Sequence, residues 1–346
     1  MKLAYILIIP NSRLSIYCSD SGIYRGNETN VYGNKLSFAP VIVVLFACLM
    51  TACVSFPDAP VATTVPSLSD GGVLVSDGVT LPTRRWAAQD PKAVLIALHG
   101  MNDYGNSFAL PAKEWAAAGI ETIAYDQRGF GAAPDRGIWV GSETLKADLR
   151  SVIGAVRAER PHLPVFVVGH SMGGAVVLAA SGDDVGLDVD GIILAAPAIW
   201  GGPRMPWFYR LVLNTSATLL PRKTLTGERV GRQPTDNLDV WRAMANDPLM
   251  IGPTRLDATL GLVRLMGDAW DATEGVSADA IVLIGEKDEI IPPKDMKAAA
   301  TRLTGDVDVR TYDNGWHLLF RDLDRSEPTS DVIEWITAHS IEKKSN

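Results

Sequence analysis

A mostly parallel α/β sheet is the fold class this sequence predicts, and three observations carry that expectation. Short, continuously apolar runs recur at 93–98, 164–168, 191–196 and 280–285; apolarity without alternation marks strands buried on both faces. Helix-length segments separate most of these runs, as parallel strands require. Hydrophobic residues make up 47% of the 346 positions, enough for a substantial core.

The elements follow in order. Segments 73–76 and 80–87, separated by Asp77-Gly78, predict an antiparallel hairpin ahead of the parallel part. Strand 93–98, a helix at 111–118 and strand 121–125 come next. A long amphipathic helix at 142–159 carries Leu145, Leu149, Ile153 and Val156 on one face. Strand 164–168 leads into Gly169-His170-Ser171-Met172-Gly173-Gly174 and then a small, apolar helical run. Beyond strand 191–196, about 80 residues break the alternation before strand 280–285, too long and too apolar for a loop. They hold Trp200, Trp207, Trp241, Trp270 and an amphipathic helix with Leu256, Leu260, Val263 and Met266, and predict an inserted helical cap. Most of these tryptophans are expected to pack the cap onto the sheet, a minority to line a pocket. Strand 307–312 and helix 330–341 close the chain, and no internal repeat is evident. The expected organisation is a core of 71–200 and 277–346 with a cap at 201–276.

The net charge of −8, without a basic stripe, argues against nucleic-acid binding. All three cysteines, Cys18, Cys48 and Cys53, fall in the first 53 residues, so the rest of the chain can form neither an internal disulfide nor a cysteine-based metal site. Lys35 precedes an apolar stretch at 41–50, shorter than the roughly 20 residues a membrane span needs but suited to an export signal. Leu49-Met50-Thr51-Ala52-Cys53 resembles a bacterial lipobox, with Met50 where an aliphatic residue is usual. The expectation is a signal region at 1–52, lipidation of Cys53 and a linker at 53–70, anchoring the protein to a membrane of the bacterial cell envelope; a simple cleaved signal or membrane anchor, or an ordinary apolar segment, are the alternatives. Residues 1–34 suit an n-region poorly, and Val31 is a candidate initiator. Removing 1–52 takes the charge from −8 to about −10.

Gly169-His170-Ser171-Met172-Gly173 is a G-x-S-x-G turn in its strand-turn-helix setting, which lifts a serine hydroxyl clear of the sheet and points to acyl transfer. Serine attacks only when a base takes its proton and a carboxylate orients the base; with a turn of this kind they follow in the order acid, then histidine. Of five histidines, His99 and His162 precede the serine, His170 sits in the turn and is expected to point away, and His339 is close to the terminus. His317, in Asn314-Gly315-Trp316-His317-Leu318-Leu319 after the last strand, is the candidate base. Asp288, in the turn after strand 280–285, is the favoured acid over Glu286 and Glu289. The backbone amides of Met172 and Met101 are the candidate oxyanion donors, with His99 a structural hydrogen-bonding group.

The ordered set His99-Gly100, Asp126-Gln127-Arg128-Gly129-Phe130-Gly131, Gly169-His170-Ser171-Met172-Gly173, Gly285-x-x-Asp288 and Gly315-Trp316-His317-Leu318-Leu319, with Asp247-Pro248-Leu249 in the cap, resembles the monoacylglycerol lipase and lysophospholipase branch of the α/β-hydrolases. Ala132-Ala133 departs from the serine that relatives often carry after the glycine turn. The resemblance implies a mostly parallel eight-stranded sheet flanked by helices, an inserted helical cap, and a serine carboxylester hydrolase acting on single-chain lipid esters through an acyl-enzyme, with no metal or organic cofactor. Its partners would be a lipid ester and a membrane surface. Two alternatives stand beside it. One is an aminopeptidase of the proline-iminopeptidase kind, for which Glu228, Asp236 and Asp239 are the available amine-binding acids; the other is a noncatalytic binding protein on the same fold.

Overall fold

The computed structural model describes residues 54–200, 204–226 and 231–345. The expected signal region with its apolar stretch, Val31, Cys53 and the cap residue Glu228 lie outside the described residues. Among the described residues no helix is long and apolar enough to cross a membrane.

The chain runs β1 (Ser67–Ser69), β2 (Gly72–Leu74), β3 (Thr80–Leu81), β4 (Thr83–Trp86), β5 (Ala93–Leu98), α1 (Pro111–Ala117), β6 (Ile120–Tyr125), α2 (Ser142–Glu159), β7 (Val165–His170), α3 (Met172–Ser181) and β8 (Gly191–Ala195). The cap follows as α4 (Trp207–Leu219), β9 (Thr224–Leu225), α5 (Leu238–Asn246), β10 (Thr254–Arg255) and α6 (Leu256–Ala272). The core then resumes with β11 (Ala280–Gly285), α7 (Pro293–Ala300), β12 (Val307–Tyr312) and α8 (Ser326–Ser345).

The central sheet has the order β12-β11-β8-β7-β5-β6-β4. Every residue of β5, β6, β7, β8 and β11 is buried, as the unbroken apolar runs of β5, β8 and β11 demand, whereas β12 is half open, as an edge strand tolerates. All pairings are parallel except β4 with β6. Helices flank the sheet, α1 packing on α8, α2 on α3, and cap helix α6 on α3.

The fold class is the expected one, and the strand count differs. Among the described residues the central sheet holds seven strands, because the run expected at 80–87 is divided by Pro82 into β3 and β4. Proline has no N–H to extend a ladder. Strand β3 pairs with β2, and β1 joins them in a separate three-stranded antiparallel sheet, while β4 crosses to the main sheet beside β6. Residues 67–69, expected in the linker, are therefore part of the folded structure. The β9–β10 ribbon in the cap was not legible in the sequence.

The strand order positions the site. From β5 the chain moves outward to β6, then returns to the other side of β5 as β7. Connections leave in opposite directions at the carboxyl ends of β5 and β7, opening a crevice where ligands bind in open α/β sheets. The segment after β5 begins at His99, and the turn after β7 holds Ser171. Close approach there depends on Gly173, where a Cβ would lie 2.3 Å from the carbonyl oxygen of Leu98. Gly173→Ala is expected to lower stability by about 2–3 kcal/mol in urea unfolding, since overpacked sites cost that much and backbone cannot step aside; an unchanged midpoint would contradict this packing.

Candidate active site

Ser171 sits at φ 52°, ψ −114°, a conformation that side chains rarely adopt and that costs about 1–3 kcal/mol. The turn holds it there: the Ser171 amide donates to the Ala195 carbonyl at 3.0 Å, and its own carbonyl accepts from Ala175 at 3.1 Å and Ala198 at 2.9 Å. Met172 begins α3, so its amide belongs to the unpaired first turn of a helix, where N–H groups favour negative charge.

The structure brings the three candidate side chains together. His317 Nε2 is 2.9 Å from Ser171 Oγ, and His317 Nδ1 is 2.7 Å from Asp288 Oδ2. All three residues are buried. The second carboxylate oxygen of Asp288 accepts from the amides of Ile290 at 2.7 Å and Ile291 at 2.9 Å, which fixes the carboxylate plane. Loops carrying acid and base are laced together, the Lys287 amide donating to Gly315 at 2.9 Å and the Glu286 amide to Tyr312 at 3.0 Å. The competing acids are engaged elsewhere: Glu286 pairs with Lys297 at 2.5 Å, and Glu289 accepts from the cap amide of Gln233 at 2.8 Å.

The turn carrying Met101 also closes on the serine. A Cβ at Gly100 would lie 3.2 Å from His170 Nδ1 and 3.3 Å from Ser171 Cβ, tighter than ordinary contact, so a larger residue there would press the two turns apart by a few tenths of an ångström. Asn102, at φ 64°, completes the bend. His99 is the structural group the sequence suggests: its Nε2 accepts from the Gln127 amide at 2.9 Å, and its Nδ1–H donates to the Gly100 carbonyl at 2.8 Å. Burial lowers its pKa, consistent with this neutral tautomer. The Asp126–Gly131 loop is likewise structural. Asp126 accepts from Arg84 at 2.6 Å and from the amides of Gly105 and Ala132 at 2.9 Å each. Arg128 spans Asp77 and Asp148.

Three supporting residues escaped the sequence reading. His170 does not point away from the site: its Nε2–H donates to the His317 carbonyl at 2.9 Å. Burial first, and the neighbouring His317 and Arg321 next, push its pKa down to about 3, so it remains a neutral donor that holds the base-bearing loop. Arg321, four residues after His317, forms a buried ion pair with Asp103 in the turn following β5. That pair ties the two halves of the site together. Asp322 accepts the Trp316 amide at 2.7 Å, immediately before the base.

Burial pushes the Asp322 carboxyl up to about 6, above its ordinary value of 3.8. The folded state thus holds this proton more tightly than the unfolded chain, so the group costs stability above pH 6, a cost relieved as pH falls through about 6 toward 3.8. Asp322→Asn keeps an oxygen for the Trp316 amide. It is expected to raise Tm at pH 7.5 by about 2–4 °C and to flatten that slope; a lower Tm at pH 7.5 would show the charge itself to be stabilising.

The cap contributes less uniformly than expected. Trp200 packs against the core, and the Trp270 ring meets the guanidinium groups of Arg204 and Arg302. Most of the four tryptophans were expected to pack the cap onto the sheet, and two of them, Trp207 and Trp241, are instead 69% and 40% exposed. The Asp247-Pro248-Leu249 segment pins the cap to the turn after β5, Asp247 accepting from Tyr104 Oη at 2.5 Å. Between α5 and that turn lies a cavity of about 260 Å³, lined by Asp103, Tyr104, Val240, Met244, Asp247 and Arg321 among others. Of the candidate amine-binding acids, Asp239 pairs with Arg242 on the surface, and Asp236 accepts the Leu323 amide.

The comparisons with known proteins agree with this geometry. A family model described as "Serine aminopeptidase, S33" matches residues 89–324. A monoacylglycerol lipase of Mycolicibacterium smegmatis is 27% identical over 277 residues, covering 78% of this chain and 95% of that protein. The human monoglyceride lipase is 22% identical over 272 residues, covering 75% and 86%. Among solved structures, a soluble variant of the Saccharomyces cerevisiae monoglyceride lipase in complex with a substrate analogue superposes with a TM-score of 0.65 at 20% identity, covering 83% of this chain and 99% of that one.

Proposed function

The chain belongs to the serine aminopeptidase S33 family, within the monoacylglycerol lipase branch of the α/β-hydrolases, and from that premise we propose that it hydrolyses monoacylglycerols and similar single-chain lipid esters, lysophospholipids included, at a bacterial envelope membrane. The observation that carries this reading is the unbroken hydrogen-bonded series from Ser171 Oγ through His317 to Asp288.

In this reading His317 Nε2 takes the hydroxyl proton as Ser171 Oγ attacks the ester carbonyl, and Asp288 holds the resulting imidazolium. The amides of Met101 and Met172 stabilise the tetrahedral oxyanion. Collapse expels the alcohol, protonated by His317, and leaves an acyl group on Ser171. Water then attacks the acyl carbon while His317 accepts its proton, and a second collapse releases the fatty acid and restores the serine hydroxyl. The cavity lined by Asp103, Tyr104 and Asp247 adjoins the turn after β5 that carries Met101, and in this reading it is where a polar alcohol end is seated. Exposed apolar residues on cap helix α4 suit a lipid surface, and the lipobox-like Leu49-Met50-Thr51-Ala52-Cys53 supplies an anchor.

Substrate class is tested by presenting monoacylglycerols, lysophospholipids and a chromogenic prolyl amide to the same preparation. Ester kcat/KM is expected to exceed the amide value by about 100-fold or more, because Asp239 is paired with Arg242 on the surface and Asp236 accepts the Leu323 amide, so neither described candidate acid is held out for an α-amine. Preference for the prolyl amide would overturn the ester reading.

A further inference from the structure

The residues directly after Cys53 are not a free linker. Val54 and Phe56 pack into a small apolar cluster with Leu213 and Ala217 of α4 and Leu256 and Leu260 of α6. Arg264 of α6 donates to the Val54 carbonyl at 2.5 Å and lays its guanidinium 5.1 Å from the centre of the Phe56 ring. On the other side Phe56 meets Trp139 edge-on at 6.4 Å, and the Pro57 carbonyl is packed against Gly141 at the start of α2. This short segment is thus wedged between the cap and the core, and its first residue directly follows Cys53 in the sequence.

Helix α4 is used on both sides. Leu213 and Ala217 face the cluster that holds Val54 and Phe56, while Trp207, Phe208, Leu211 and Val212 are exposed, the first at 69%. A lone apolar helix face has no assigned partner; here the same helix is bound, through its inner face, to the residue that adjoins the lipobox cysteine. A lipid on Cys53 would hold the chain at the membrane, and a second apolar contact held nearby then acts at high effective concentration.

We propose that residues 54–57 are a rigid tether that couples the lipid on Cys53 to the cap, so that anchoring sets the exposed face of α4 into the bilayer from which the ester is taken. The inference rests on the anchored-hydrolase reading above. Slack between lipid and cap should therefore cost activity on membrane-borne ester and leave activity on dissolved ester intact.

The test uses the full-length chain expressed in a lipoprotein-processing bacterium and reconstituted in phosphatidylcholine vesicles containing a monoacylglycerol. A Gly/Ser insertion of about 12 residues between Cys53 and Val54 lengthens the tether without touching the cluster, and Phe56→Ala loosens the wedge. Both variants are expected to hydrolyse a dissolved p-nitrophenyl butyrate within about twofold of the parent and the vesicle-borne ester about fivefold more slowly. The part of the tryptophan fluorescence that is lost in Trp207→Phe should be quenched by brominated lipid in the parent and less so in the insertion variant. Parent-like rates on vesicles for both variants would overturn the tether alone. An unmodified Cys53 by intact mass would overturn the anchor and the tether with it, and a parent inactive on both esters would overturn the hydrolase reading itself.

Discussion

Replacing Ser171 by alanine is expected to reduce ester turnover by roughly 10⁵- to 10⁶-fold in kcat while leaving the protein folded. The expectation follows from the geometry of the turn rather than from the motif alone. Ser171 Oγ is the only group of the serine that meets His317, whereas its strained backbone is held by main-chain bonds to Ala195, Ala175 and Ala198 that alanine makes equally well. Circular dichroism and the thermal midpoint should therefore match the parent, with the loss confined to chemistry. A residual rate above buffer is also expected, because the amides of Met101 and Met172 and the substrate pocket survive the change. Retention of more than about a tenth of parental kcat would remove Ser171 from the reaction.

A nearly isosteric change at Asp288 should be almost as damaging, for a reason specific to its surroundings. Oδ1 of Asp288 accepts from the amides of Ile290 and Ile291, so in Asp288→Asn the amide oxygen is bound to occupy that position. The Nδ2 group then faces His317 Nδ1, and as a donor it requires a lone pair there. The imidazole proton is driven to Nε2, the nitrogen 2.9 Å from Ser171 Oγ, where it blocks acceptance of the serine proton. A fall of about 10⁴-fold in kcat is expected near neutral pH, with a small change in KM and no change in fold. The pH profile separates this from a merely structural effect: a misplaced tautomer depresses the whole plateau at neutral pH. A loss under about tenfold would show that the carboxylate does not orient the base.

Much of this site was legible from local chemistry. The β7-to-α3 turn announces itself because a buried strand, glycines at 169, 173 and 174 and an apolar helix are contiguous in sequence. Asp288 was found because it lies just past a strand whose apolar run is unmistakable, His317 because the other four histidines precede the serine, sit in its turn or lie close to the terminus, and helix α2 was bounded correctly by its 3.6-residue pattern. What escaped depends on contacts between distant residues. His170 reads as a by-stander until the His317 carbonyl is placed 2.9 Å from its ring, and Arg321 pairs with Asp103 across 218 positions of chain. The one local sign was the charged Arg321-Asp322 pair in an otherwise apolar loop. Pro82 stood within the segment expected as one strand over 80–87, and its missing donor, not weighed there, is what divides it into β3 and β4. Trp207 and Trp241 misled because an aromatic in a cap carries no mark of which face it occupies. Residues 54–57 read as linker from composition and proved to be packed between Trp139, Arg264 and the cap helices.

The central claim is that a proton relay of Ser171, His317 and Asp288 makes one hydroxyl of this chain a nucleophile. A fluorophosphonate reports that property directly, since it phosphonylates an activated serine and leaves ordinary ones untouched. Intact mass and peptide mapping after treatment should show a single adduct, on Ser171, formed far more slowly in His317→Ala and absent in Ser171→Ala. An unlabelled parent protein, or an adduct on any other residue, would contradict the account.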